Sequence, residues 1–291
     1  MIKHKKWLLK NTESLEGKTV ALTGSTGGIG KELCNYLCFL GAELILIDRN
    51  RQKAELLREN LLSLYPDSEI TLLTADLEDI ESVKKATEEL KKLNPDVFIH
   101  NAGAYSIPRK VCSTGLDNVF QINFVSPYYI IRELLPILEQ NSGRAVVVGS
   151  IAHRYSKTDA EDVDFKTRKK ASLVYGNAKR YLMFSLPALA EAHRKVKFSV
   201  VHPGITFTGI TAHYPKLIFA VIKHPMKVIF MKPRTAALSV LKGVFEETEE
   251  GFWIGPEIFD VWGKPKLCKL KISSEEQTFI SETAEKIYKK L

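Results

Sequence analysis

The sequence predicts an α/β protein: a doubly wound parallel sheet covered by helices on both faces, three layers deep, in a single domain with a lid. Three observations lead there. Short apolar runs of buried-strand type alternate with segments of helical period along most of the chain. Gly24, Gly28 and Gly30 fall between the first strand and the first long helix. Polar or glycine-bearing turns follow the strands. A length of 291 residues, with 45% hydrophobic and 26% charged residues, suits one large globular domain with a real core.

Residues 20–22, Val-Ala-Leu, form the first strand, and residues 29–40 a helix with Ile29, Leu33, Leu37 and Leu40 at helical spacing. Residues 44–47, Leu-Ile-Leu-Ile, are a second strand ending in Asp48. A helix over 51–65 is stopped by Pro66. A strand over 70–74 ends near Asp76 and Leu77, and a helix covers 80–92. Asn94-Pro95 precedes the strand 97–99, which runs into His100-Asn101-Ala102-Gly103. Residues 116–139 read as one long helix that Pro127 and Pro136 should bend or segment. Gly143 precedes a strand over 145–148. A helix around 173–192 and a strand over 197–201 complete the core. Such alternation calls for parallel strands buried on both faces. The domain is expected over 17–260, after a basic leader at 1–16. Its lid lies at about 207–231, and a C-terminal helical extension covers 261–291, where Ser273/Ser274 with Glu275/Glu276 start a helix.

Ligands in such sheets bind beyond the carboxyl ends of the strands. The segments 24–30 and 101–103, Asp48, Asp76, Gly149-Ser150 and Pro203-Gly204 all fall there. A glycine turn between strand and helix suits a dinucleotide. Without a Cβ, backbone and pyrophosphate approach closely, and the helix start offers free N–H groups and partial positive charge. Alone, the glycines are a flexible turn. Asp48 gives them context: an acidic residue about 20 positions on is placed to accept from the adenosine ribose.

Tyr175 and Lys179 sit four apart on one helix face. Tyrosine ionises at about pH 10, too high for a base at neutrality, and a nearby ammonium should lower that value. The Ser150 hydroxyl, from another strand end, would hold a substrate oxygen. Together they make a proton donor and acceptor for carbonyl/alcohol exchange, with a nicotinamide carrying the hydride. Taken singly, a tyrosine and a lysine one turn apart are ordinary helix surface.

Over roughly residues 17–259 the chain resembles the short-chain dehydrogenase/reductase family. The segment 23–30, Thr-Gly-Ser-Thr-Gly-Gly-Ile-Gly, matches its cofactor motif, and Asn101-Ala102-Gly103 the motif supporting the central strand. Asn123, within Phe120-Gln121-Ile122-Asn123, matches the helix asparagine of the catalytic tetrad; Ser150, Tyr175 and Lys179 match the other three. The segment 203–208, Pro-Gly-Ile-Thr-Phe-Thr, matches the stretch that meets the nicotinamide carboxamide. The resemblance implies a Rossmann-type fold with Tyr175 as acid/base and Ser150 orienting the substrate oxygen. Lys179 would lower the tyrosine pKa and contact the nicotinamide ribose, and Asn123 would hold a water in a proton relay. The plainer reading of Asn123 is a helix-kink residue bonding backbone near Pro127. Cofactor contacts are implied at Gly24, Ser25, Thr26, Gly28, Ile29, Gly30, Asp48, Arg49, Asp76, Leu77, Asn101, Ala102, Gly103, Tyr175, Lys179, Pro203, Gly204, Ile205 and Thr208. A homodimer or homotetramer is implied as well.

NAD is the expected cofactor. Asp48 would accept from the 2′-hydroxyl and repel a 2′-phosphate, and no basic residue stands inside the glycine turn. NADP is the alternative, because Arg49, Arg51 and Lys53 follow and an arginine there reaches a phosphate. A long insert, 151–174, separates Ser150 from Tyr175, and 207–231 is long and apolar with Lys216, Lys223 and Lys227 interspersed. Both look like the retinol-dehydrogenase-like branch, which acts on lipophilic alcohols and carbonyls. His153 in the insert is a weaker candidate for substrate contact. The run 217–222 would either pack on the core or touch a membrane; it is too short to span one. A polar substrate is the second reading, opposed by the apolar lid. A dinucleotide-binding sensor without turnover is the third, opposed by four filled catalytic positions.

A formal charge of +8 is spread without an aromatic-basic module, so nucleic acid is not an expected partner. Cys34, Cys38, Cys112 and Cys268 are scattered. Cys34 and Cys38 share a helix face, but no second ligand pair accompanies them, so burial is expected rather than a metal. Nothing suggests a disulfide framework, and a reducing, cytoplasmic setting is the default. Residues 1–10 mix lysines with Trp7, Leu8 and Leu9. Their apolar part is too short for a signal peptide or a span, and a mobile basic leader is preferred to an interfacial helix.

Overall fold

A computed structural model describes residues 2–206 and 230–291. Its strands are β1 (Thr19–Thr23), β2 (Glu43–Asp48), β3 (Ile70–Thr74), β4 (Val97–His100), β5 (Arg144–Val148), β6 (Lys197–Val201), β7 (Phe252–Ile258) and β8 (Trp262–Lys269). They form one eight-stranded sheet in the order β3-β2-β1-β4-β5-β6-β7-β8. Pairing is parallel from β3 to β7, and β8 runs antiparallel to β7. The order reverses direction between β1 and β4, and that switch opens a crevice above the carboxyl ends.

The uninterrupted apolar strands follow from burial on both faces. Successive side chains point to opposite sides, so Val20, Leu44, Ile99 and Val146 join one core and Ala21, Ile45, Phe98 and Val147 the other. The first core is covered by α1 (Lys5–Asn11), α2 (Gly28–Phe39) and α3 (Arg51–Leu64), with the late helix Pro233–Phe245. The second is covered by α4 (Ile80–Lys92), the 118–140 helix, the helix pair 171–192 and the helix Ser274–Tyr288. Cys34 and Cys38 are buried free thiols in α2.

Three details depart from the sequence expectation, and a fourth, the 116–139 helix, is segmented at Pro127 as expected while Pro136 lies inside a continuous helix. The basic leader is docked: α1 is a helix whose Leu8 is fully buried in the first core. The helix predicted over 116–139 is α5 (Asn118–Phe120), a π turn (Gln121–Val125) and α6 (Ser126–Gln140). Pro127 has no N–H for the carbonyl of Asn123, so the α ladder fails there and the π turn takes its place. The helix around 173–192 is two, α7 (Ala171–Phe184) and α8 (Leu186–Ala192), with Pro187 in the first turn of the second. The extension 261–291 is not helical throughout: β8 precedes the last helix. Among the described residues two further helices follow, α9 (Pro233–Phe245) and α10 (Ser274–Tyr288). Lys264, Pro265, Lys266 and Lys269 disguise β8 in the sequence, yet they suit an edge strand, whose outer side faces water.

Candidate active site

The carboxyl ends of β1, β2 and β4 border a crevice of about 370 Å³ lined by Gly24, Thr26, Gly28, Ile29, Asp48, Arg49, Asp76, Leu77 and Asn101–Gly103. The structure thus gathers most of the sequence-predicted dinucleotide residues, and it adds Asn50, Lys53, Ala104 and Ile122. Gly27 precedes α2 as its cap and offers no side-chain hydrogen bond, and the first turn of the helix holds no acidic residue. Its free N–H groups and positive dipole end are therefore of the kind that favours an anion. Ser25 and Gly30 stand behind this surface. A Cβ on Gly30 would lie 2.2 Å from the Gly24 carbonyl oxygen. Gly24 has φ +71°, and a Cβ there would lie 2.8 Å from Ala102 Cα, so the close approach it permits is to the second motif. Asn101 Nδ2 donates to the carbonyls of Thr23 (3.3 Å) and Gly24 (3.0 Å), tying β4 to the glycine turn.

Asp48 has a role the sequence did not reveal. It is 6% exposed and accepts from Ser25 Oγ, Thr26 N (3.2 Å) and Thr26 Oγ1 (2.8 Å). Its carboxylate pins the glycine turn, while exposed Arg49, Asn50 and Lys53 stand beside it on the crevice wall.

Ser150 leaves the end of β5 as the cap of a 3₁₀ helix, Ile151–Tyr155; its Oγ accepts from Ala152 N at 3.2 Å, and the same hydroxyl stands beside the Tyr175 phenol of α7. Lys179, one turn on, is 1% exposed, and its Nζ donates to the Val148 carbonyl at 2.8 Å. It lies 5.7 Å from the Tyr175 ring centroid. Asn123 projects from the π turn. Its Nδ2 donates to Val119 O and Ala104 O, both at 2.8 Å, and its Oδ1 accepts from Ala104 N at 3.3 Å. The plainer expectation for Asn123 is met in kind, but its backbone partners lie on the preceding turn and the β4–α5 loop. A Cβ on Gly103 would lie 2.9 Å from Asn123 Oδ1 and 3.8 Å from Lys179 Nζ, so the crevice and the tetrad meet there.

The electrostatics correct one expectation. Burial pushes the Tyr175 phenol up to about 12; the Ser150 hydrogen bond opposes that rise and the neighbouring Tyr105 phenol adds to it. Burial brings Lys179 down to about 7, and its Nζ is turned to the Val148 carbonyl, so the pull expected on the phenol does not outweigh burial here. In the protein alone, Tyr175 is a proton donor at neutral pH.

Tyr105, unforeseen in the sequence, meets the Tyr175 ring edge-on at 5.4 Å. Gly204 has φ +79°, and a Cβ there would lie 2.6 Å from the Val261 carbonyl oxygen. Thr206 bridges to Met231, and Met231 N donates to Ile205 O at 2.9 Å. Thr208 and nearly all of the 207–231 lid, including the 217–222 run, lie outside the described residues. His153 is 3% exposed and sits between Trp253 and Phe184, which removes it from the substrate side. Among the described residues, no cluster suited to a metal ion occurs and no helix is long and apolar enough to cross a membrane.

Comparison with known proteins agrees with this geometry. The family model for short chain dehydrogenase matches residues 18–216. Short-chain dehydrogenase TIC 32 A of Brassica napus is 30% identical over 222 residues, covering 69% of this chain and 68% of that protein. Retinol dehydrogenase 14 of Mus musculus is 29% identical, covering 68% of this chain and 64% of that protein. An uncharacterized protein from Mycobacterium Paratuberculosis shares the fold at a TM-score of 0.75 and 20% identity, over 95% of both chains. A short-chain dehydrogenase from Sphingobium yanoikuyae, solved with NADPH, does so at a TM-score of 0.56 and 21% identity, over 67% of this chain and 73% of that one. The match across residues 18–216, on a sheet whose strand ends carry the matched motifs, means that the chain belongs to the short-chain dehydrogenase family of NAD(P)-dependent oxidoreductases.

Proposed function

We propose that the protein interconverts a lipophilic alcohol and its carbonyl compound, with Tyr175 as the acid/base and Ser150 orienting the substrate oxygen. The gathering of Ser150, Tyr175 and Lys179 where Gly103 meets the crevice is the strongest support. The crevice suits a dinucleotide: the uncapped start of α2 for the pyrophosphate, Asp76 and Leu77 for the adenine, and Lys179 near Gly103 for the nicotinamide ribose. The bound nicotinamide supplies or takes the hydride. In reduction, the Tyr175 phenol gives its proton to the substrate oxygen while the Ser150 hydroxyl holds that oxygen in place. Apolar groups flank this end: Tyr105 lies against Tyr175, and the hairpin whose Asp260 pairs with Arg154 carries Phe259, 85% exposed. The similarity to retinol dehydrogenases 12 and 14 favours the same substrate class. Retinoids, steroids and aliphatic carbonyls, each assayed with both reduced dinucleotides, test the proposal. Turnover of an apolar carbonyl is expected, and turnover of polar substrates alone would overturn it.

Direction should follow pH. A phenol pushed up to about 12 keeps its proton through the neutral range, so kcat/KM for reduction should be flat there. Oxidation needs the phenolate and should climb about tenfold per pH unit below that value. An oxidation rate independent of pH above neutrality would contradict the assignment. Cofactor choice rests on Asp48 set against Arg49 and Lys53. Asp48→Asn keeps one acceptor oxygen for Thr26, leaves Ser25 Oγ to turn and accept from the new amide N–H, and removes the negative charge; the ratio of kcat/KM with NADP to that with NAD should rise by about tenfold or more. An unchanged ratio would remove Asp48 from cofactor selection.

A further inference from the structure

We propose that His153 is a positioning residue that fixes the Ser150 hydroxyl against Tyr175, and that α10 completes the device through Glu276 and Arg180. The proposal rests on the reading that Ser150 and Tyr175 act together. Ser150 sits where β5 gives way to the single 3₁₀ turn Ile151–Tyr155, a geometry with weak internal hydrogen bonds. Something else must hold it. The Ser150 carbonyl receives the His153 backbone N–H at 3.1 Å and the His153 Nδ1 at 2.8 Å. A carbonyl only accepts, so Nδ1 carries the ring proton and the tautomer is fixed. The ring is buried edge-on against Trp253 at 5.3 Å and Phe184 at 5.8 Å. Burial pushes its pKa down to about 4, with Arg180 and Arg154 acting the same way against Asp260, so at neutral pH it is a neutral donor.

The outer side of the turn is clamped as well. The His153 carbonyl accepts from Arg180 Nη1 at 3.0 Å. Arg180, the residue after Lys179 on α7, also donates through Nε (3.0 Å) and Nη2 to Glu276 on α10. Glu276 Oε1 further accepts from Thr158 N at 3.0 Å and Thr158 Oγ1 at 3.1 Å, just past the turn. One carboxylate therefore anchors the helix that carries Tyr175 and the chain that leaves Ser150. His153, Arg180 and Glu276 do not border the dinucleotide crevice, so His153 acts through Ser150, and Arg180 with Glu276 through the turn and α7 together.

His153→Phe keeps a ring between Trp253 and Phe184 but deletes the Nδ1–H donor; His153→Asn restores a side-chain N–H. With the full chain and an apolar carbonyl, His153→Phe should lower kcat by about 10- to 100-fold, with KM and dinucleotide Kd nearly unchanged. The groups facing Tyr175 are Ser150, Tyr105 and Lys179, and only the Ser150 bond opposes the rise of the phenol. Loosening that bond should move the alkaline limb of the oxidation profile to higher pH. His153→Asn should recover most of both changes, and Glu276→Gln should move them the same way to a smaller extent. A merely structural role would lower Tm and leave kcat and the pH profile of the folded enzyme alone. Wild-type kcat and profile in His153→Phe, or an Asn variant no better than Phe, would overturn the proposal. If the wild type turns over no alcohol or carbonyl, the activity reading fails separately, and amide hydrogen exchange then decides. Residues Ile151–Tyr155 should exchange faster in His153→Phe and not in His153→Asn; equal exchange in all three proteins would overturn it.

Discussion

Tyr175→Phe is expected to lower kcat by about 10²- to 10⁴-fold, the usual worth of a positioned general acid, while the dinucleotide still binds. The phenol is the group that stands beside the Ser150 hydroxyl and has Lys179 Nζ 5.7 Å from its ring centroid. Phenylalanine keeps the ring and its edge contact with Tyr105 but has no proton to give. The crevice lining does not include residue 175, so the adenosine and pyrophosphate contacts stay intact. Steady-state rates paired with a titration of reduced-dinucleotide fluorescence separate the two effects. Retained turnover would mean that another group moves the proton.

Gly176→Ala should damage the enzyme from the opposite side. A Cβ at 176 would lie 2.3 Å from the Ala152 carbonyl oxygen and 2.8 Å from Ser156 Oγ. The first neighbour is backbone, so the 3₁₀ turn must move as a body and carry Ser150 away from Tyr175. Misplacing a positioning group by about 1 Å costs about 10²-fold in rate, and overpacking costs about 1–3 kcal/mol of stability. Rate measurement together with a denaturant midpoint checks both. A stable, fully active Gly176→Ala would show that the turn and α7 are not held in register by this contact. The constraint is invisible from residue types alone, since a glycine between Tyr175 and Asn177 reads as an ordinary weak helix position.

What was legible depended on how local its cause is. The runs 20–22 and 44–47 were readable as strands because burial on both faces leaves no polar alternation to interpret. The glycine turn, Asp48, Ser150, Tyr175 and Lys179 were readable because fixed spacing places them at strand ends and on one helix face. β8 was hidden because an edge strand tolerates Pro265 and its lysines. The Tyr175 phenol was misjudged because its environment is tertiary: burial raises it, and Lys179 finds the Val148 carbonyl instead. Asp48 was read as facing ribose alone because its bonds to Ser25 and Thr26 appear only once β2 and the turn are packed together. His153 was only a weak candidate for substrate contact, and its true slot was hidden because Trp253, which builds it, lies a hundred positions away in the chain.

Label transfer tests the central claim most directly. With a reduced dinucleotide deuterated at the transferring C4 position and an apolar carbonyl, deuterium should appear on the carbinol carbon of the product. The same mixture with Tyr175→Phe should yield almost none over the same interval. Product alcohol free of label, or equal labelling by the two proteins, would contradict the account.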